Sequence, residues 1–439
     1  MNTEANKLFE SSFDLTLTEG LIALIRNKPV AQDDMDIMAL FTLDGIANML
    51  AGRRSSPGEK LMAYLQGREG DAGRRALVMG GLTHILEVDD LHKASVVHPA
   101  CVTIPAAIAL SQDQPTSGAD FLKAILFGFE ACTRVGMAVG KEHYKVWHNT
   151  ATCGTFGGAM TAATLLSLSD KECMYALGNA GTQSAGLWEF LNTGAMSKHL
   201  PAGRAAEAGI VSAQLAKLGF TGPPSVLEGP QGFFAGACPD PDPDAVLRDP
   251  DAPWQVHLTS IKPWPSCRHT HPVIDAALEL SGKIKVKDID YVDVIGYQAA
   301  IDVCDRPNPE TEYEAKFSLQ HCVAISLLDG ENVFASYNSS ARDRADGLRS
   351  RITVSAGEVY SAAYPENWGG EVTVHLRDGG EITATRNACK GDPELPLDRE
   401  QMILKARELL AFASVNDANA VVDGVLDMAH GGDVPDLKL

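Results

Sequence analysis

The chain has 439 residues, 45% hydrophobic and 21% charged, which is enough for more than one core and excludes wholesale disorder. Its 37 lysines and arginines stand against 57 aspartates and glutamates, for a formal charge of −20. Nucleic acid and anionic membranes need a broad basic surface, so neither is expected as the main partner; a small anionic substrate, held by a few residues, remains open.

In chain order, the opening MNTEANKLFESSFDLTLTEGLIALIRNK lacks the basic segment, unbroken apolar run and cleavage site of a signal peptide. Helical periodicity follows over Asp34 to Leu50, with Gly52 as a stop. It recurs over Ala119 to Val139, Cys153 to Leu168 and Gly203 to Leu218. Alanine and glycine recur in these segments and suit closely packed helices. The nearest approach to a membrane span is Ala151 to Ser169, whose small residues again favour packing inside a protein.

The stretch Cys238 to Trp254 carries five prolines and five aspartates and predicts a stiff acidic loop. Beyond it the pattern changes. Ile289 to Ile295 and Arg351 to Val354 predict strands, and Glu371 to Leu376 with Glu381 to Thr385 predict a hairpin around Arg377-Asp378-Gly379-Gly380. Ala315 to Leu328 is helical, as is the chain from Asp398 onward. The expected fold is mainly α: a large all-α helical-bundle domain over 1–265, completed by 399–439, and a smaller α+β domain over 266–398. The nine cysteines are odd in number and without CxxC spacing, which predicts reduced thiols and a cytoplasmic protein.

Four stretches gather polar chemistry. LEVDDLHKASVVHPA holds Glu87, Asp89, Asp90, His92 and His98, which either cap helix ends or form the start of a metal site without recognised spacing. HYKVWHNTATCGTFGGAM places His143, Tyr144, Lys145 and His148 before a helix N-terminus that favours an anion. SKHLPAGRAAEAG offers Lys198 as a base and Arg204 as a carboxylate clamp, or both as a solvated face. IKPWPSCRHTHPVIDAALEL sets Lys262, Cys267, Arg268, His269 and His271 ahead of a helix. A thiolate pair, a metal site and an anion site compete there, and Pro272 at the helix start suits the last. No Walker A or GxGxxG motif precedes a helix, so a nucleotide is not expected.

These four stretches, with LEGPQGFF (Leu227 to Phe234) and AKFSLQHCVAISLLDG, resemble the motifs of the MmgE/PrpD family in the family's order. The resemblance implies a helical domain and an α+β domain, usually in a homodimer. It also implies an active site between them for small di- or tricarboxylates, with no cofactor; no metal is expected, because no complete ligand set has metal-site spacing. Asp89, His98, His148, Lys198, Lys262 and the Cys267–His271 loop would line it. Glu87, Pro201 and His321 stand where many relatives carry aspartate, histidine and tyrosine.

Those departures weigh against a dehydratase of a methylcitrate-like acid and leave proton transfer on a polycarboxylate; the resemblance then implies a cofactor-independent epimerase, with iminodisuccinate first. Lys198 and His269, then His148, are the expected acid–base groups. Asp89, His98, Tyr144, Arg204, Lys262, Cys267, Arg268, His271 and His321 are the expected substrate contacts. The rivals are a metal-dependent hydrolase built on Asp89, Asp90, His92 and His98, and a non-catalytic helical binding protein.

Overall fold

A computed structural model describes residues 15–436. The signal-peptide expectation rests partly on residues 1–14, which lie outside the described residues. Helices of the first 217 residues pack into one apolar core, in which Leu43, Ile46, Met79, Phe129, Phe156 and Ile210 are buried. The helices Gln32–Gly52, Gly118–Ala138 and His199–Lys217 agree with the expected ones, and the third begins four residues earlier than expected. Asn149–Leu165 also starts earlier, so His148 is its cap residue. By length and hydropathy the helix nearest to a membrane span is Gln32–Gly52, not 151–169; 83% of that window is buried inside the protein, as in a core helix.

Small residues set the helix spacing. A Cβ on Gly203 would lie 2.1 Å from the Leu77 carbonyl oxygen, and one on Gly209 would lie 2.3 Å from the Gly158 backbone. Neither obstacle is a flexible side chain. Gly203→Ala is therefore expected to lower stability by about 3 kcal/mol, as overpacking does. Gly236→Ala, where a Cβ meets nothing within 4 Å, is the control. Equal urea midpoints for the two variants would contradict this.

Two short strands, β1 (Leu91–His92) and β2 (Thr259–Ser260), pair antiparallel and lay the 87–98 stretch beside the 261–271 stretch. The second core surrounds a four-stranded sheet of order β4-β3-β5-β6. Its strands are β3 (Ile289–Gly296), β4 (Ile352–Ala356), β5 (Gly370–Leu376) and β6 (Glu381–Arg386). β3 and β4 run parallel and the other pairs antiparallel, with Val292 opposite both Ile352 and Val374. The helix His271–Ser281 covers this sheet through Val273, Ala276, Ala277 and Leu280. The expected 315–328 helix is two, Glu312–Lys316 and Leu319–Asp329, broken at Phe317 and Ser318. Arg399–Phe412 sends Met402, Ala406, Leu409 and Leu410 into the first core, against Gln32–Gly52.

Candidate active site

The Ala72–His84 helix ends in His84, and the chain then turns through Glu87, whose φ of +62° is left-handed. A non-glycine residue there costs about 1–3 kcal/mol, which its surroundings must offset. Asp89 Oδ2 accepts from His84 Nδ1 at 2.7 Å and lies 3.4 Å from His98 Nδ1. Asp90 accepts from the backbone N–H of Ala100 at 3.1 Å, capping the next helix, and its carbonyl lies 2.5 Å from His98 Nδ1. The β1–β2 pairing brings Lys262 within 3.3 Å of Asp89 Oδ1 and 3.9 Å of Glu87 Oε2. Lys198, just before the His199–Lys217 helix, donates to both Glu87 oxygens at 2.5 and 2.6 Å.

Two lysines and two carboxylates thus form one buried, charge-balanced group, each side chain at most 4% exposed. Burial raises the Glu87 carboxyl, but Lys198, Lys262 and His84 outweigh it and hold it at about 2. Asp89 goes the same way, mainly through Lys262 and His84. Burial and the neighbouring Asp89 push Asp90 well above the usual carboxylate range.

Imidazoles surround the group. His84 lies 4.7 Å from the His98 ring, 5.5 Å from His148 and 6.1 Å from His199. From the second core comes His269, whose Nδ1 is 2.6 Å from the Tyr297 hydroxyl and whose ring stacks on Trp368 at 4.7 Å. Its Nε2 lies 3.4 Å from the Tyr144 hydroxyl. Burial holds His98 at about 4 and His199 and His269 at about 3, and it pushes His148 well below its usual range. At neutral pH these four rings are uncharged. Trp188, 4.7 Å from His148 and 5.3 Å from Tyr144, supplies an aromatic wall, and Phe317 lies 5.0 Å under the Lys198 ammonium.

Of the expected site residues, Asp89, His98, His148, Lys198 and Lys262 come together, and Tyr144 meets His269. Cys267 is buried at the same junction, its backbone N–H donating to Lys316 O at 2.9 Å. Four expected contacts are engaged elsewhere. Arg204 is half exposed and paired with Glu207, because its helix turns it outward. Arg268 is committed to Asp392 and Cys389, bracing the 389–392 turn. His271 lies 3.3 Å from Ser266 O, and His321 lies 2.8 Å from Ser336 O inside the second core.

His84, His199, Tyr297, Trp188 and Trp368 were not expected. His199 adjoins Lys198 in a stretch already singled out, whereas Tyr297 and Trp368 carry no local signal.

The metal rival changes membership. His92 turns to Ser95 Oγ at 2.8 Å and Asp90 caps a helix, so the set Asp89, Asp90, His92 and His98 is not assembled. His84, Asp89 and His98 do offer ligand atoms within 4.8 Å of one another. Those atoms already share hydrogen bonds, and the Lys262 ammonium on Asp89 opposes a dication. The trio fits a hydrogen-bonded relay better than a metal centre.

Matches to two family models cover most of the chain: the MmgE/PrpD N-terminal domain over 21–245 and the MmgE/PrpD C-terminal domain over 264–427. The chain belongs to the MmgE/PrpD family. The junction between the two matches falls at 246–263, beside β2 and Lys262, and the C-terminal match runs on through helices that pack against the first core. Among curated relatives, the chain is 25% identical to cis-aconitate decarboxylase of Aspergillus terreus over 92% of its own length and 90% of the relative's. It is 27% identical to the cis-aconitate decarboxylases of Mus musculus and Homo sapiens, over 80% of its length and 75% and 76% of theirs.

The neutral histidines make stability pH-dependent. Each has a folded pKa below its unfolded value near 6.5, so the unfolded chain binds more protons as pH falls through that value. The stability they contribute is complete above pH ~6.5 and is lost towards their folded values, by at most ~1.4 kcal/mol per pH unit for each. Asp44 and Asp90, both raised by burial, oppose this but are outnumbered. The unfolding temperature is expected to fall steadily from pH 7 to pH 5, and calorimetric scans that stay flat to pH 5 would contradict it.

Proposed function

We propose that this member of the MmgE/PrpD family is a cofactor-independent lyase of a small polycarboxylate, with cis-aconitate the first substrate to test. The observation that supports it is the buried Lys198–Lys262 pair ringed by uncharged histidines from both cores. Such a set can bind carboxylates, stabilise the charge that develops beside them, and hold or release a proton. In a decarboxylation, the bond from carbon to one carboxylate breaks and carbon dioxide leaves. The electron pair shifts through the neighbouring double bond, and His269 or His98, which takes a proton from solvent once the bound acid's negative charge raises its proton affinity, delivers it to the carbon that receives it. The lysines stabilise the intervening negative charge. The names of the curated relatives move the reading towards a lyase and away from the epimerase expected from the departures at Pro201 and His321.

A second reading keeps the same first step. Neutral imidazoles reach the site from both cores, which suits removal of a proton on one face and its return on the other, as epimerisation of iminodisuccinate would need. A dehydratase needs, in addition, a proton for a leaving hydroxyl. Reduced cysteines, all nine unpaired and buried, suit a cytoplasmic enzyme, and a homodimer is the assembly to test by light scattering.

The readings separate by product. Chelator-dialysed protein is expected to release carbon dioxide from cis-aconitate at an unchanged rate. Alkene formation from a hydroxy acid would favour the dehydratase, and loss of optical activity without either product the epimerase. Activity that vanishes on dialysis and returns with zinc or iron would overturn the cofactor-independent proposal.

A further inference from the structure

We propose that Glu87 is a built-in carboxylate that occupies the Lys198–Lys262 ammonium pair and thereby sets how many carboxylates a substrate can bring. The count of substrate carboxylates rests on the polycarboxylate reading above; the occupancy of the lysines by Glu87 does not.

Three observations carry the inference. Glu87 offers both oxygens to Lys198, at 2.5 and 2.6 Å, and one to Lys262, at 3.9 Å, which is how a bound carboxylate meets two ammonium groups. Asp89 is held differently, by His84 on one oxygen and Lys262 on the other, so it belongs to the frame. Glu87 also reaches its place through a left-handed backbone, and the ammonium of its partner Lys198 lies 5.0 Å from the ring of Phe317 in the second core. Its carboxylate therefore sits, 1% exposed, where the two cores meet.

Two lysines so placed have room for a limited number of negative partners. With Glu87 present the group is already neutral, and an incoming acid must use the neighbouring positions. Without it, the group carries one net positive charge, left on Lys198 because Asp89 still holds Lys262, and it is open to one more carboxylate, or to a small carboxylate from solution.

The test compares wild type, Glu87→Ala and Glu87→Gln. Calorimetry gives dissociation constants for cis-aconitate and for methylmaleate, which keeps the unsaturated core and lacks one carboxylate. The ratio is expected to move towards the tricarboxylate by about ten- to hundredfold in Glu87→Ala, the usual worth of a charged hydrogen-bonded partner. A smaller shift in the same direction is expected in Glu87→Gln, which keeps the volume without the charge. Sodium formate, against equal sodium chloride, is expected to raise the unfolding temperature of Glu87→Ala and leave wild type unchanged.

A ratio that moves less than about twofold in both variants would overturn the proposal, as would formate stabilising wild type and Glu87→Ala alike. If Glu87→Ala does not fold, Glu87→Gln decides by the ratio. If wild type binds neither acid, the polycarboxylate reading falls, and the formate comparison still decides the place of Glu87.

Discussion

Lys262→Met is expected to lower the unfolding free energy by about 3–5 kcal/mol, the usual result of removing one partner from a buried ion pair. From sequence, Lys262 is one of the expected substrate contacts. In the fold it is more than that. Its side chain is 1% exposed and sits on both Asp89 and Glu87, so its removal leaves Glu87 on Lys198 alone and the buried Asp89 with only His84 and His98 beside it. Adding Asp89→Asn should recover part of the loss, because the second change removes a charge that the first left unpaired. Urea titrations of the single and double variants check this, and a loss below about 1 kcal/mol for Lys262→Met would refute it.

His269→Gln is expected to lower turnover by two to four orders of magnitude while the protein stays folded, the usual worth of a positioned acid–base group. His269 is uncharged when the site is empty. Its Nδ1 is fixed by Tyr297 and its ring by Trp368, which leaves Nε2 towards Tyr144. A polycarboxylate brings negative charge, which raises the proton affinity of the ring and readies it to hand a proton to carbon. Tyr297→Phe removes a positioning hydroxyl only. It should cost about tenfold and shift the pH profile of turnover, whereas a packing role alone would leave that profile in place. Arg268→Ala, by contrast, should act through stability, since its guanidinium is spent on Asp392 and Cys389. Turnover within a few-fold of wild type in His269→Gln would remove His269 from the chemistry.

Periodicity made the helices and the sheet legible, because each buries one regular face. The four-residue error at the start of His199–Lys217 arose at Pro201, which the structure accommodates in the first helical turn, where no donor is lost. β1 and β2 were not legible: strands of two residues have no period, yet their pairing brings Lys262 to Asp89. Site residues were legible where charge and histidine clustered in sequence, as at Glu87 to His98 and Lys262 to His269. Clustering does not give direction, however. Arg204 and Lys198 share one short stretch, but one faces solvent and the other is buried on Glu87. His269 and His271 stand two residues apart at a helix start, and only the first faces Tyr144. Tyr297 and Trp368 reach His269 from distant points in the chain, a relation that only the folded sheet creates.

The most direct test of a proton-transferring polycarboxylate site is proton NMR of cis-aconitate turned over in D₂O by chelator-treated protein. One deuterium is expected on the carbon that receives the proton in each product molecule, and this product is expected to be lost in His269→Gln. Product without deuterium at carbon, or no reaction with cis-aconitate, iminodisuccinate or a methylcitrate-like acid, would contradict it.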